Sequence, residues 1–263
     1  MQEFEFIREA LDDLAVYVRG KYAQRHAVEI TSKSEDNDLL TEVDLAVQDE
    51  LARRIAAQYP GDFIVGEEAG LSTIPADSDE RIWLIDPIDG TQNFVRGLFP
   101  AYGISVALSM GGVPVVGGVA IPGTGELYMA QRGGGAYRNG ERLRVSSVDR
   151  LSIARAEIDF SCPRDRAATL AAFCRLIEAA GQVRCHCAAV IGLCSIATGD
   201  MDAYVHVQLN PWDFAAAMVI VEEAGGRVSR LDGSTLSLFK GHGGVLASNG
   251  RIHEELRQII VQG

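Results

Sequence analysis

The sequence predicts a mixed α+β fold, and three observations carry that expectation. Residues 3–25 and the stretch from Thr41 to Tyr59 repeat their apolar positions at helical spacing. The middle of the chain, from Phe63 to Val145, breaks into short Val- and Ile-rich runs separated by Gly and Pro turns. From Ile153 onward, strand-like and helix-like segments alternate. Hairpins first and alternation second place a seam near residue 147, dividing the chain into an N-terminal α+β half, 1–147, and a C-terminal α/β half, 148–263.

The elements follow in order. In residues 3–25, Phe6, Ile7, Ala10, Leu14 and Val18 share a face, with Glu3, Asp12, Asp13 and Arg19 turned away from it. A polar linker, Ser32 to Asp38, follows. Thr41 caps a second amphipathic helix that Pro60-Gly61 stops. Strands are expected at Phe63–Gly66, Arg81–Asp86, Gly103–Met110 and Val113–Ile121, with hairpins around Glu126–Ala130 and Gly135–Val145. In the second half a strand at Ile153–Phe160 precedes a helix at Arg166–Ala180. A short strand and a helix at Ala188–Thr198 come next. Ala203–Val207 is a strand, Trp212–Ala224 a helix, and Arg251–Val261 a terminal helix.

Composition narrows the function classes. At 263 residues, 47% apolar and 23% charged, the chain has the makeup of a soluble globular protein with a substantial core. Its formal net charge of -12 gives a field that repels nucleic acid and anionic membranes. The uncharged stretch Leu98 to Gly125 is long enough to span a bilayer, but Gly111-Gly112, Pro114, Gly117-Gly118 and Pro122 interrupt it. Two buried strands with a tight turn fit better. The acidic start, Met1-Gln2-Glu3-Phe4-Glu5-Phe6, lacks the basic region of a secretion signal, and the five cysteines are an odd number. Both point to a cytoplasmic protein with reduced thiols. Cys185-His186-Cys187 has no second ligand pair at finger-like spacing, so structural thiols are the expectation there.

The informative acids stand at the ends of apolar elements. Glu67 and Glu68 follow the run Phe63–Gly66, Asp86 and Asp89 follow Arg81–Ile85, Asp213 follows Pro211-Trp212, and Asp44 lies in the first turn after Thr41. Each has an ordinary reading. Asp-Pro and Asp-Gly form turns, Asp213 suits a helix N-cap, Asp44 complements a helix dipole, and Glu67 suits a solvated loop. Their joint placement favours another account. Burying a carboxylate costs several kcal/mol unless something positive meets it, and an all-oxygen ligand set is what Mg²⁺ prefers. Pro87 stiffens the step between Asp86 and Asp89 and presents the Ile88 carbonyl as a ligand. Gly90 permits close backbone approach, and Thr91 brings a hydroxyl and an amide to a helix start.

Asp86-Pro87-Ile88-Asp89-Gly90-Thr91-Gln92-Asn93-Phe94 resembles the signature of the inositol monophosphatase family of Mg²⁺-dependent, lithium-sensitive phosphatases. Gly66-Glu67-Glu68 resembles its upstream acidic motif, and Lys33-Ser34 with Asp38-Leu39-Leu40-Thr41-Glu42-Val43-Asp44 its N-terminal one. Trp212-Asp213-Phe214-Ala215-Ala216 followed by Glu223-Ala224-Gly225-Gly226 resembles its C-terminal one. Four motifs in order span most of the chain. The resemblance implies a layered α/β/α/β/α sandwich of the inositol monophosphatase and fructose-1,6-bisphosphatase type.

Carried over by residue, it assigns Glu67, Asp86 and the Ile88 carbonyl to a first Mg²⁺ and Asp86, Asp89 and Asp213 to a second. A weaker third would lie by Glu67 and water oriented by Asp44. Two to three ions per site are implied, with Mn²⁺ able to substitute. Thr91 and Asp44 would position and deprotonate the attacking water, assisted by Glu67. The amides of Gly90 and Thr91 would hold the phosphate. The implied chemistry is in-line attack of activated water on a phosphomonoester, without a phosphoenzyme. Lithium inhibition and a homodimer, with the Leu98–Gly125 strands as interface material, are implied as well.

Other phosphate chemistries leave marks that are missing here. No Gly-rich loop ends in Gly-Lys-Ser/Thr, and no nucleophile elbow is present. Gly133-Gly134-Gly135 reads as a hairpin turn and His242 as a loop residue. A regulatory, protein-binding member of the family is the alternative of another class, although every expected ligand position is filled. Substrate is less determined. Asp89, Gly90, Thr91, Ala189, His206 and Asp213 are the expected substrate-facing positions. Inositol-specific relatives carry Gly-Ser/Thr-Ala where this chain reads Cys187-Ala188-Ala189, and an acid where it has His206. A small phosphomonoester, inositol 1-phosphate-like, is the expectation. Fructose 1,6-bisphosphate, histidinol phosphate and 3′-phosphoadenosine 5′-phosphate are the alternatives, and narrow inositol specificity is not expected. The imidazole of His206 would either donate to or attract part of the substrate, or point into solvent.

Overall fold

The computed structural model describes residues 2–32, 39–68, 71, 79–98, 100–159 and 166–261. Lys33-Ser34 and Asp38 of the N-terminal motif, Phe160 and Cys162 lie outside the described residues.

The chain opens with α1 (Gln2–Ala23), a short antiparallel pair β1 (Ile30–Ser32) and β2 (Leu39–Thr41), and α2 (Glu42–Gln58). Then come β3 (Phe63–Gly66), β4 (Arg81–Asp89), α3 (Thr91–Arg96), β5 (Gly103–Met110), β6 (Val113–Ile121), β7 (Glu126–Gln131), β8 (Gly135–Arg138) and β9 (Glu141–Arg142). The remainder is β10 (Arg155–Ile158), α4 (Arg166–Ala179), β11 (Gln182–Arg184), α5 (Ala189–Ala197), β12 (Ala203–Leu209), α6 (Pro211–Glu223), β13 (Arg227–Arg230), β14 (Gly243–Ser248) and α7 (His253–Val261).

Strands β3 to β9 form a seven-stranded sheet in sequence order, antiparallel except for β3 beside β4. The second sheet has five strands in the order β11-β10-β12-β14-β13. Three separate cores show how the layers stack. Ile7, Leu11 and Val18 of α1 and Val47 and Leu51 of α2 pack on Trp83, Ile85, Ile104 and Val106, one face of the larger sheet. Ile82, Leu84, Ala107 and Val119 from the other face meet α5 and α6, which also pack against Tyr204, Val245 and Ala247 of the smaller sheet. The far face of that sheet, through Ala156, Val205 and Leu246, is covered by α4 and α7. The order is helix pair, sheet, helix pair, sheet, helix pair: the expected α/β/α/β/α sandwich.

Alternation along the strands makes this stacking work, since successive residues of β4 feed opposite cores. In β6 one glycine serves each face. A Cβ on Gly117 would stand 2.4 Å from the Ala216 carbonyl oxygen of α6, and one on Gly118 would stand 2.5 Å from Ile7 of α1. Both helix layers press directly on the backbone there.

Several expectations need correction. β4 runs to Asp89 rather than stopping at Asp86. β13 and β14 were not anticipated, although β14 sits between β12 and β13. Its apolar run is only Val245-Leu246-Ala247, too short to stand out from the glycines before it. The residues of β5 from Gly103 to Ser109 are buried within the chain, between the α1 and α6 layers. No helix among the described residues is long and apolar enough to cross a membrane.

Candidate active site

In a regular strand Asp86 and Asp89, three residues apart, would point to opposite faces. The pairing of β4 with β5 shifts between them: Asp86 lies opposite Ser105 and Asp89 opposite Gly103, so three steps on β4 match two on β5. This one-residue bulge restores the phase. Ile88 accordingly joins Ile85 in the core beneath α1 and α2, while both carboxylates face the α5–α6 side. Glu67 arrives from the neighbouring parallel strand, its amide donating to the Ile85 carbonyl at 3.1 Å. Gln48 of α2 pins the next residue, donating to the Glu68 carbonyl at 3.2 Å and accepting from its amide at 2.9 Å. Asp213 enters from the first turn of α6. Asn210, not Asp213, is the N-cap, and Asp213 Oδ2 accepts from the Asn210 amide at 2.7 Å as the second half of a capping box.

Electrostatics mark this cluster. Asp86 is 1% exposed, and burial pushes its carboxyl well above the usual range, reinforced by the charges of Glu67, Asp89 and Asp213. Its Oδ1 has no hydrogen-bond partner. Burial likewise raises Asp89 to about 7, opposed by an amide hydrogen bond from Val190 and assisted by the charge of Asp159. A buried, orphaned carboxylate oxygen among three more acids is a seat shaped for positive charge, and an all-oxygen donor set fits Mg²⁺. By contrast, a hollow of about 470 Å³ beside α1, lined by Phe4, Arg8, Asp12 and Met129 among others, contains none of these four acids.

Asp44 combines its two expected roles. It is fully buried at the third position of α2, where Oδ2 accepts from the Thr41 amide at 2.9 Å and from the Thr41 hydroxyl. Its Oδ1 lies 3.2 Å from the Thr91 hydroxyl, which also donates to the Ile88 carbonyl at 2.8 Å. Gly90 caps α3 at φ 84°, a left-handed conformation, and a Cβ there would lie 2.8 Å from the Ala101 carbonyl oxygen.

On the far side, Asp89 Oδ2 accepts from the Val190 amide at 2.7 Å, and the nearby Ala189 amide also favours the ionised carboxylate. Ala189 therefore meets the site through its backbone. Asn93, buried in α3, donates to the carbonyls of Ala101 at 2.8 Å and His186 at 2.7 Å, tying the α5 approach to α3. His206 does not point into solvent. It is 2% exposed, its Nδ1 accepts from the Gln208 amide at 3.0 Å, and burial lowers its pKa to about 4, so it is neutral near pH 7 and attracts no anion. Sequence reasoning named Asn93 within its motif but gave it no role, and it missed Asp159. Asp159 follows β10 with no spacing signal to the other acids and meets them only through the fold.

Comparison with known proteins agrees with this geometry. The profile of the "Inositol monophosphatase family" matches residues 2–263. The chain is 35% identical over 233 residues to "Phosphatase IMPL1, chloroplastic" of Arabidopsis thaliana, covering 85% of this chain but only 61% of that relative's length. It is 38% identical over 241 residues to "Nus factor SuhB" of Haemophilus influenzae, covering 91% and 88% of the two chains. Against the "Histidinol-phosphatase" of Mycobacterium tuberculosis the figures are 36% over 223 residues, 82% of each. The solved structure of "Thermotoga maritima IMPase TM1415" superposes with a TM-score of 0.87 at 31% identity, covering 99% and 97%. Fold, acid cluster and these likenesses together define a phosphomonoester hydrolase. The chain belongs to the inositol monophosphatase family.

Proposed function

We propose that this protein hydrolyses small phosphomonoesters in a Mg²⁺-dependent reaction, releasing inorganic phosphate. The observation that carries the reading is Asp86 Oδ1, buried without a hydrogen-bond partner and flanked by Glu67, Asp89 and Asp213. Glu67, Asp86, Asp89, Asp213 and the Ile88 carbonyl would hold two to three Mg²⁺ ions. Bound there, the metal supplies Lewis acidity toward phosphate and lowers the pKa of water. The chain's own residues do the rest. Thr91 and Asp44 orient the nucleophilic water and accept its proton, Glu67 assists, and the Gly90 and Thr91 amides hold phosphate oxygens in line.

The leaving-group wall favours breadth over inositol specificity. Around Cys187-Ala188-Ala189 it offers thiol and methyl groups, and the adjoining Val190 amide is committed to Asp89. Neutral, buried His206 stands where an acid would accept from a polyol. Losing one or two such hydrogen bonds, each worth about 0.5–1.5 kcal/mol, relaxes specificity by about tenfold. The test is phosphate release, with and without Mg²⁺, from inositol 1-phosphate, fructose 1,6-bisphosphate, histidinol phosphate, 3′-phosphoadenosine 5′-phosphate and glycerol 2-phosphate. Undiminished turnover in excess EDTA overturns the metal reading. A hundredfold preference for inositol 1-phosphate overturns the reading of the wall.

Lithium inhibition and a homodimer belong to the same proposal, and both are carried by membership of the family. A single 28.3 kDa species in sedimentation at micromolar concentration would exclude the dimer.

A further inference from the structure

Beside the four acids, at the C-terminal ends of β10 and β11, three ligand-type side chains converge. One ligand atom each from Asp159, Cys185 and Cys187 lie within 4.8 Å of one another. We propose that Asp159, Cys185 and Cys187 form a second metal site, separate from the all-carboxylate centre and selective for a thiophilic divalent cation such as Zn²⁺. Nothing in this proposal depends on the phosphatase substrate.

Geometry supports it first. The two sulfurs are 3.5 Å apart. Thiolates about 2.3 Å from a tetrahedral Zn²⁺ stand roughly 3.8 Å from each other, so the pair is nearly set for the ion. Cys187 has φ 55°, a left-handed conformation that side-chain-bearing residues seldom adopt, and this turn keeps its sulfur beside that of Cys185. The surrounding segment is braced, because Asn93 holds the His186 carbonyl and the Val190 amide holds Asp89.

Charge and access agree. Asp159 is 2% exposed and Glu157 is fully buried, two carboxylates on one strand end, and Asp159 already raises the carboxyl of Asp89. A divalent cation offsets that accumulation. Both cysteines are exposed, which leaves an entry path. His186 Nδ1 lies 2.9 Å from Glu157 Oε2, turned to that acid. Two sulfur ligands separate this site chemically from the neighbouring one, since Mg²⁺ prefers oxygen alone. The sequence set the Cys-His-Cys triplet aside for want of further ligands, and the fold supplies one in Asp159, just past β10.

The experiment uses the reduced, metal-stripped protein and Co²⁺ as a spectroscopic substitute for Zn²⁺. Sulfur-to-cobalt charge transfer in the near ultraviolet arises only from thiolate ligands, so the carboxylate centre contributes nothing to it. The expected result is a band that saturates at one thiolate-bound Co²⁺ per chain, is displaced by stoichiometric Zn²⁺, and survives excess Mg²⁺. C185S and C187S should each abolish the native band. D159N should weaken Co²⁺ binding by more than about tenfold, the scale on which even outer partners of a metal ligand act. Absence of the band in the native chain overturns the proposal. So does a band unchanged in C185S and C187S, which would place the ion on another thiol. Full affinity in D159N removes the carboxylate from the site and overturns the three-ligand assignment.

Discussion

The Thr91 hydroxyl oxygen sits 3.2 Å from Asp44 Oδ1 and 2.8 Å from the Ile88 carbonyl oxygen, so one side chain ties the first turn of α2 to the bulge of β4. The other oxygen of Asp44 is committed to Thr41, which fixes the carboxylate's orientation. The proposed function gives this hydroxyl, held between two acceptors beside the acid cluster, the role of orienting water.

On that proposal, replacing Thr91 acts on chemistry. Thr91→Ala should lower kcat by about a hundredfold with little change in KM, whereas Thr91→Ser should stay within about tenfold of the parent. Steady-state kinetics on any accepted phosphomonoester reads this. Equal activity in Thr91→Ala would remove the residue from the machinery.

The proposed Mg²⁺ site ties stability to metal. Asp213→Asn and Asp89→Asn should each cut turnover by orders of magnitude, yet the metal-free variants should melt no lower than the parent, because each relieves repulsion among buried acids. The parent's Tm should rise on adding Mg²⁺, since the ion binds only the folded state, and the rise should shrink in both variants. Thermal melts at several Mg²⁺ concentrations decide it. A parent Tm indifferent to Mg²⁺ would count against the site.

His206 makes a prediction about acid. Its folded pKa is depressed to about 4 from an ordinary 6.5 by burial. Below 6.5 the unfolded chain takes up a proton that the folded chain refuses, so this stabilisation is complete above 6.5 and is lost as pH falls toward 4. The loss amounts to about 3 kcal/mol. His206→Gln should flatten the fall in Tm over that window without erasing it, because burial also lowers His253 to about 4. An unchanged melting profile between pH 7 and 4 would contradict the burial.

Asn93 braces rather than reacts. Asn93→Ala leaves the Ala101 and His186 carbonyls without their donor and should cost about 1–3 kcal/mol of stability. Because the loosened segment also holds Asp89, KM should rise more than kcat falls. Denaturant melts and kinetics on the same preparation check both. Full stability with parental KM would show the brace to be dispensable.

Much of this protein was legible without coordinates. The helices at both ends, β3, β5, β6 and the acids at the strand ends follow from periodicity, turn residues and the cost of burying charge. All are local signals, carried by neighbours in the chain. The four motifs were legible for the same reason, since each is a short contiguous run.

What the sequence left open depended on partners across the fold. Whether Asp86 and Asp89 face together rests on a bulge visible only in the register against Ser105 and Gly103. Whether His206 meets solvent or a packed layer is set by the elements that cover β12, and strand periodicity does not report which layer covers a face. β14 gains its place between two longer-range partners, with only three strong apolar residues of its own. Asp159 joins Cys185 and Cys187 because β10 and β11 run parallel and end at the same level. Burial, charge crowding and ligand geometry are sums over atoms brought together by folding. A sequence states which groups are available, and the packing of the sheets against the α5–α6 layer decides which of them meet.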